Sequence, residues 1–494
     1  MPKVSVPIPA VGREERQWAP SRPDLYTKPE VARQTGAYES VVTPAIRDWA
    51  PQLDAETVAD VEEASLALKG FDLHSLGLFG AGDPALAPMS AILLRTESAS
   101  SSQIEHLTTS AKQLALAEID EGKKQNALTV VGNVRAMEAA LRLSDDLGVT
   151  SILAMHAELL SRQPGLEHEA GRFRRELVWI GNRDNAGPRG AAFIAPQPEL
   201  VPSAVADVVA FAARVDLPVL VQIAVAHAQF ETIHPFVDGN GRTGRAIAQA
   251  MLRDKGLATH TTVPLSAGLL IDTESYFSAL TAYRAGDAGP IVHRFCDAAR
   301  YAAVTGRELV DALAGELERS KEALAGVRSH SAAWKILPRL IGQPVVNTRF
   351  LVAAMGVSDV SVMRALDVLT RRGVLVERTG NSRNRVWEQR GILSVLDAYA
   401  DSVRRGRLPT GWEGRQPIGV GFVGTGGTGS EPLIWFCAWH WLVQLVAPCE
   451  SSTASSPSTP PRRPPEVTSH VVTVPLWEVF VATCGLSLPS SIEW

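Results

Sequence analysis

The sequence predicts a mainly α-helical protein: a helical core with one small β-hairpin, followed by a domain of three helices and a second hairpin. Apolar residues recur at helical spacing over residues 126–147, 218–232 and 242–255, and residues 191–196 show the strand pattern of the first hairpin. The length of 494 residues suggests two to four domains, and an apolar share of 45% is enough for several cores. The net charge of −5 excludes a protein that binds polyanions over its whole surface, so any basic patch must be local.

The cysteine pattern and the N-terminus indicate a cytoplasmic protein. Cys296 is the only cysteine before residue 400, as expected in a reducing compartment. The first residues contain no apolar run of signal-peptide length. Residues 433–446 are the best membrane candidate, but they are too short to span comfortably and contain His440 and Gln444. We therefore expect no membrane partner.

Residues 1–125 are predicted to form an N-terminal helical region. Helical spacing begins at Tyr38, with Asp54 as a helix cap, and a further helix is expected near residues 101–120. At the start of that helix, Ser102 and Glu105 have the spacing of a capping box, in which serine caps the helix and glutamate returns the hydrogen bond.

The centre of the chain combines an anion site with a metal ligand, two arginines and a base. Residues 234–245 read His-Pro-Phe-Val-Asp-Gly-Asn-Gly-Arg-Thr-Gly-Arg and lie between two predicted helices. Glycines at the start of the second helix leave amide N–H groups uncovered, and these favour an anion. Asp238 offers a hard oxygen ligand suited to Mg²⁺. Arg242 and Arg245 share one helix face, and His234 can accept a proton near neutral pH.

This stretch resembles the signature of the Fic family, His-x-Phe-x-Asp/Glu-Gly-Asn-Gly-Arg-x-x-Arg, at every specified position. It differs from the Walker P-loop because no Gly-Lys-Ser/Thr follows the glycines. The resemblance implies a Fic catalytic core over residues 126–305 that transfers AMP from ATP, with Mg²⁺, to a Ser, Thr or Tyr hydroxyl of a target protein. His234 would be the base, Asp238 the metal ligand, and Phe236 a buried anchor. The phosphate-binding residues would be Asp238, Gly239, Asn240, Gly241, Arg242, Gly244 and Arg245.

A second resemblance concerns Ser101-Ser-Gln-Ile-Glu105-His106, which is similar to the inhibitory signature of some Fic proteins. It departs from that signature at His106, where Gly or Asn is usual. The resemblance implies that Glu105, with Ser101, pairs with Arg245 and denies that arginine to the γ-phosphate. The capping-box interpretation of Glu105 stands beside it, and both can hold together.

Two further sites are implied by the resemblance, each with a plain structural alternative. Phe193 and Ile194 would form the tip of a flap that holds the target segment; alternatively, residues 187–196 are an ordinary surface hairpin. Tyr276 and Phe277 would border the adenine; alternatively, they are core aromatics.

Residues 306–330 are predicted to form a linker helix, and residues 331–405 three helices followed by a basic hairpin. That order predicts a winged helix-turn-helix, and residues 331–390 hold ten Arg and Lys against four Asp and Glu. Residues 331–400 are therefore a candidate DNA-binding segment; the alternatives are dimer contacts, including a homodimer, or target docking. The arginines expected to face DNA are Arg364, Arg371, Arg372, Arg383 and Arg385.

Residues 406–494 are predicted to be a low-complexity tail. From residue 401 onward the chain holds six of its eleven tryptophans, three of its four cysteines and no lysine. An out-of-frame C-terminus would explain this composition; the alternative is a genuine disordered or partner-bound tail.

Other functions stay open at this point. The core could transfer a different group, such as UMP or phosphocholine, because the motif contacts the phosphates and not the base. It could instead remove AMP, with Glu105 activating water. The chain could also be a DNA-binding regulator in which the Fic core is a sensor.

Overall fold

The computed structural model describes residues 5–408, apart from residues 81, 162, 182, 184, 185 and 379–383. Nearly all of the predicted tail, including residues 433–446, lies outside the described residues. As predicted, the fold is mainly α. Among the helices described, none is both long and apolar enough to cross a membrane.

The elements follow one another along the chain in a fixed order. They are β1 (Gly12–Trp18), α1 (Lys28–Gln34), β2 (Gly36–Val42), α2 (Ala55–Phe79), α3 (Leu86–Ile104), α4 (Ala111–Glu118), α5 (Gln125–Arg142), α6 (Val149–Leu160), β3 (Trp179–Ile180), β4 (Phe193–Ile194), α7 (Val201–Ala212), α8 (Val219–Ile233), α9 (Asn240–Asp254), α10 (Leu265–Leu270), α11 (Thr273–Arg284), α12 (Gly289–Ala323), α13 (Ala332–Gly342), β5 (Val345–Asn347), α14 (Thr348–Met355), α15 (Asp359–Arg371), β6 (Val376–Glu377), β7 (Val386–Glu388) and α16 (Arg390–Arg404).

The helix pair α8 and α9 lies at the centre of the main hydrophobic core. Every residue of α8 after its first is buried, which explains why its sequence is apolar on all faces rather than on one stripe. Helix α9 packs against α8, α5, α6 and α3. The loop that joins the two helices is therefore held by buried elements on several sides.

The N-terminal region contains a sheet as well as helices, which corrects the prediction that helical spacing begins at Tyr38. Strands β1 and β2 pair antiparallel, with Gly12 opposite Val42. Tyr38 lies in β2, and its ring packs edge-on against Trp18 of β1 at a centroid distance of 6.3 Å. Long-range aromatic packing decided the conformation here. Asp54 caps α2 as predicted, because its side chain accepts from the Thr57 N–H at 2.8 Å.

The helix predicted near residues 101–120 is instead the end of α3 followed by α4, and the capping-box interpretation is wrong. Ser102 lies inside α3, and Glu105 is the C-cap residue of that helix rather than its third residue. Ser102 is buried, and its Oγ accepts from Asn133 Nδ2 of α5 at 3.1 Å. Small buried serines let α3 pack closely on α5, so tertiary contact outweighed the capping preference of serine. Ser110 caps α4.

The predicted linker helix is part of one long helix. Helix α12 runs without interruption across the expected boundary at residues 305 and 306, and it packs along α2. Buried residues continue along its length, from Cys296 to Leu317. Residues 306–323 therefore belong to the core and do not link separate bodies.

Residues 331–405 contain the three helices and the two-stranded hairpin that the sequence predicted, together with a strand, β5, and a helix, α16, that it did not predict. The strands form an antiparallel sheet in the order β5-β7-β6, and Gly356, with a φ of 64°, separates α14 from α15. This unit also packs against the N-terminal region. Leu116 of α4 shares an apolar cluster with Val345 and Leu393, and the Arg95 guanidinium of α3 donates to the Gly342 carbonyl.

The loop after α9 depends on one buried carboxylate, and its removal should lower stability. Asp72 accepts from the N–H groups of Thr259, His260 and Thr261 at 2.8–3.0 Å. We expect Asp72→Asn to lower the free energy of unfolding by about 3 kcal/mol, because an amide N–H₂ would face buried donors. Asp311→Asn, at an exposed carboxylate, is the control and should change it by less than about 0.5 kcal/mol. Equal denaturant midpoints for the two variants would contradict this account.

Candidate active site at the α8–α9 loop

His234 ends α8 in a left-handed conformation, with φ 51° and ψ 60°. Its side chain is buried, and its Nδ1 lies 3.4 Å from the Glu231 carbonyl oxygen. That contact favours the tautomer with the proton on Nδ1, which places the lone pair on Nε2. The geometry is suited to a general base whose ring is oriented by the last turn of its own helix.

The loop after His234 is held closed by the side chains of Asn240 and Phe236. Asn240 accepts from the Phe236 N–H at 2.8 Å and donates to the Phe236 carbonyl at 2.9 Å. The Phe236 ring is fully buried and stacks on His156 at 3.6 Å, as expected for an anchor. Because both polar atoms of the Asn240 side chain are used inside the loop, Asn240 can contribute to an anion site only through its main chain.

Gly239 and Gly241 are required by the local geometry. Gly239 has a φ of 78°, and a Cβ there would lie 2.5 Å from Leu159. A Cβ at Gly241 would overlap the Glu105 carboxylate. The second contact shows that the first turn of α9 is covered by the end of α3.

The Glu105 carboxylate lies between Arg242 and Arg245. Its Oε1 is 2.7 Å from Arg245 Nη2, and its Oε2 is 2.9 Å from Arg242 Nε. Arg245 also donates to the Ser101 Oγ and carbonyl, both at 2.8 Å. The sequence predicted the Arg245 pair but not the Arg242 pair. An acidic side chain therefore occupies the position where the helix N-terminus and two arginines would attract an anion.

The electrostatics of this cluster keep both arginines charged. Burial lowers the pKa of Arg242, but the carboxylates of Asp238 and Glu105 outweigh it and hold that pKa above its ordinary value. Burial also lowers the pKa of Arg245, and Glu105 is the main group that raises it above the ordinary value. Two buried cations thus depend on nearby carboxylates for compensation.

Asp238 is engaged by its neighbours. Its Oδ2 accepts from Arg242 Nη2 at 2.8 Å and from Gln163 Nε2 at 3.0 Å. Within the described residues, no group of three or more acidic, histidine or cysteine side chains could hold a metal ion by itself. Asp238 fits a Mg²⁺ ion that is bound together with a phosphate ligand. In such sites one carboxylate binds the ion, and phosphate oxygens and water supply the other ligands.

Tyr276 lies in the core and is not an exposed ring, so it does not border an open adenine site. It is 1% exposed, and its OH lies 2.7 Å from His227 Nε2. Burial lowers the pKa of His227 to about 3, so this histidine is neutral. Phe277 is half-buried against the core. A contact of Phe277 with the adenine base stays a prediction.

Glu231 is a buried residue of this region that the sequence analysis missed. Burial raises its pKa to about 7, while Arg245 opposes the shift. A Cβ at Gly244 would lie 3.1 Å from its Oε1, so the glycine leaves room for the carboxylate. Its place in an entirely buried helix was the available signal.

The predicted hairpin is present, but Phe193 and Ile194 are not its tip. They form β4, which pairs with Ile180 and Trp179 of β3. Both are buried, and Phe193 packs against Val41 of β2. The tip lies between the two strands, partly outside the described residues. Packing against the neighbouring β2 buries apolar side chains of β4. The local sequence does not show that this packing occurs.

Arg174 was also missed by the sequence analysis. Its guanidinium is buried and donates to main-chain carbonyls on both sides of the hairpin and at the end of α8. The sequence shows only an arginine directly after a Gly-Arg-Phe stretch, and nothing in it indicates that this arginine is buried.

The predicted DNA-facing arginines differ in their surroundings. Arg364, Arg371 and Arg372 are exposed on or directly after α15. Arg385 pairs with Glu377, at 2.9 Å from Nε to Oε1, and lies over the Trp387 ring. Arg383 lies outside the described residues. DNA binding and a homodimer stay predictions.

Comparison with known proteins identifies the domain that carries this site. The Fic/DOC family model matches residues 146–252. This stretch of the chain is a Fic domain. It includes α6, α7, α8 and most of α9, and therefore all of residues 234–245.

The relatives of this Fic domain match only part of the chain. Protein adenylyltransferase fic-1 of Caenorhabditis elegans is 28% identical over 172 residues, which is 32% of this chain and 30% of that protein. Protein adenylyltransferase Fic of Drosophila melanogaster is 30% identical over 127 residues, which is 25% of this chain and 23% of that protein. The chain thus spans less than a third of the length of these relatives. A crystal structure of a Fic family protein from Desulfovibrio desulfuricans matches with a TM-score of 0.40 and 23% identity, covering 70% of this chain and 96% of that one.

The anion-site interpretation can be tested without assuming an activity. We expect Glu105→Gln to lower the free energy of unfolding by about 3 kcal/mol, because two buried arginines lose a shared carboxylate. Millimolar pyrophosphate should stabilise this variant more than wild type, since the anion replaces the carboxylate.

Thermal melting with and without pyrophosphate measures both effects. Glu318→Gln, at an exposed ion pair with Lys321, is the control. Equal pyrophosphate shifts for wild type and Glu105→Gln would show that the arginines are not an anion site.

Proposed function

We propose that this protein transfers AMP from ATP to a hydroxyl group of a target protein, and that Glu105 inhibits the transfer. The observation that carries the proposal is the Glu105 carboxylate held between Arg242 and Arg245 at the N-terminus of α9. A site that binds a carboxylate through two arginines and a helix N-terminus has the charge and shape to bind phosphates. The names of the relatives support the same reaction class.

In the proposed reaction, His234 Nε2 accepts the proton of the target hydroxyl as its oxygen attacks the α-phosphorus. The new bond joins that oxygen to phosphorus, and the bond to the bridging oxygen of the β-phosphate breaks. Pyrophosphate leaves with the bonding electrons, and AMP remains on the protein. Arg174 donates both to the His234 carbonyl and to the Pro196 carbonyl that follows the β3–β4 hairpin, and this hairpin would hold the target segment as an added strand.

The phosphates would be bound by α9. The main-chain amides at Gly239 to Gly241 would donate to a phosphate, and Arg242 and Arg245 would neutralise charge that develops on the leaving group. Mg²⁺ would be held by Asp238 and the phosphates, and it would supply further charge neutralisation there. Asp238 Oδ2 already pairs with Arg242 and accepts from Gln163, so a metal ion bound through that oxygen would share it with these side chains.

The nucleotide base is not specified by these contacts. The proposed contacts at the start of α9 all involve phosphates and none involves the base. Tyr276 is buried. Incubation with labelled ATP, GTP, UTP and CTP separates AMP transfer from the transfer of another nucleotide. Release of AMP from a labelled protein tests the alternative reaction, the hydrolytic removal of AMP, in which Glu105 would activate water.

The role of His234 is best tested with asparagine, which tolerates the left-handed backbone of this position. In the Glu105→Gly background, we expect His234→Asn to abolish transfer and to leave ATP affinity within about twofold, because a base acts only in the transition state. Labelling with radioactive ATP and equilibrium ATP binding are the measurements. Transfer at the parent rate would rule out His234 as the base.

The inhibitory role of Glu105 predicts a gain of activity. Glu105→Gly should raise self-labelling by at least roughly tenfold, since both arginines become available to the phosphates. Gln103→Gly is the matched control, because it adds a glycine at the same end of α3 without removing a carboxylate. If the two variants label equally, Glu105 does not inhibit transfer and the proposed regulation is wrong.

A further inference from the structure

We infer that Arg174 is a positioning residue that fixes the His234 main chain relative to the β3–β4 hairpin. The inference rests on the proposed function, because it assigns a consequence for transfer to a target hydroxyl. It arises from a set of hydrogen bonds around one buried guanidinium that lies outside the motif of residues 234–245.

Each nitrogen of the Arg174 guanidinium donates in a different direction. Nε donates to the His234 carbonyl at 2.8 Å, Nη1 to the Glu176 carbonyl at 2.9 Å, and Nη2 to the Pro196 carbonyl at 2.6 Å. The Arg174 N–H also donates to the Pro235 carbonyl at 3.0 Å. One residue therefore joins the catalytic loop to the chain segments that enter and leave the hairpin.

The contact with α8 is suited to a helix C-terminus. The Ile233 and His234 carbonyls belong to the last turn, where carbonyl groups lack intrahelical partners and a positive charge is favoured. Arg174 Nη2 lies 3.4 Å from the Ile233 oxygen and Nε donates to the His234 oxygen, so the guanidinium reaches both carbonyls. These bonds stabilise the left-handed conformation of His234, which a non-glycine residue adopts at a cost of about 1 kcal/mol.

The charge of Arg174 persists despite its burial. Burial lowers the pKa of Arg174 to about 10, and Glu199 raises it in part, so the group stays protonated at neutral pH. A charged donor strengthens each bond to a carbonyl. The planar guanidinium spans three separate acceptors, whereas the single nitrogen of lysine cannot reach three directions in this geometry.

The consequence for the reaction is geometric. A base must lie within hydrogen-bond reach of the hydroxyl whose proton it takes, and a displacement of about 1 Å can cost roughly 100-fold in rate. His234 belongs to α8, whereas the proposed target-holding strand belongs to the hairpin. Arg174 sets the separation of the two. The phosphate-binding turn of α9 makes none of these contacts, so ATP binding should not depend on Arg174.

The experiment uses Arg174→Lys in the Glu105→Gly background, with Arg175→Lys as the matched control at the exposed neighbouring arginine. Three quantities are measured on the full chain: ATP affinity, the self-labelling rate at saturating ATP, and hydrogen exchange of residues 233–236, 177–180 and 193–195. We expect Arg174→Lys to lose roughly 100-fold in labelling rate with ATP affinity within about twofold. Exchange should increase together in the loop and the hairpin. The control should match its parent.

Three results would overturn the inference. Labelling by Arg174→Lys at the parent rate would show that the bonds do not position the base. A parallel loss of ATP affinity would indicate general damage. Faster exchange in only one of the two segments would show that Arg174 does not couple them. If the Glu105→Gly parent labels nothing, the proposed transfer fails, whereas the exchange measurement still decides whether Arg174 joins loop and hairpin.

Discussion

The carboxylate of Glu105, held between two buried arginines, is the interaction on which the candidate site depends. Arg242 and Arg245 are 1% and 3% exposed, and charges buried to that extent need a partner of opposite sign. Glu105 supplies it from a distant part of the chain, and Asp238 supplies a second carboxylate to Arg242 alone. An anionic ligand at the same place would replace one negative partner by another.

The end of α3 is fixed by contacts on both sides of Glu105. Upstream, the buried Glu97 carboxylate accepts from the Ser266 N–H at 2.8 Å and joins α3 to α10. Downstream, α4 packs on the sheet of residues 331–405, and Lys112 pairs with Glu388 at 2.5 Å. The segment that carries Glu105 is thus held between α10 and the C-terminal unit of residues 331–405. Any displacement of Glu105 must be accommodated by these contacts, because packed interiors resist small shifts.

The loop itself is held by bonds to main-chain groups. Asn240 closes the loop on Phe236, His156 Nε2 contacts the Asp238 carbonyl at 3.0 Å, and Arg174 binds the last carbonyls of α8. Burial lowers the pKa of His156 to about 4, so its ring is neutral at pH 7 and stacks on Phe236 without a charge. Asn240, His156 and Arg174 thus hold the loop, whereas the two arginines of α9 and His234 are the groups proposed to contact a ligand.

The sequence by itself determined the motif of residues 234–245, the helix–loop–helix around it, the cap at Asp54, and three helices and a hairpin within residues 331–405. These features depend on local spacing, on glycines at the positions of tight turns and on residues a few places apart. Tertiary structure alone decided that Ser102 lies inside a helix, that Phe193 and Tyr276 are buried, and that Arg174 reaches His234. The reason is the length of the connections: Arg174 and His234 are 60 residues apart, and the Glu105–Arg245 pair, which spans 140 residues, was expected only from the family resemblance. Which distant segments meet is set by the burial of whole helices, and no local pattern records it.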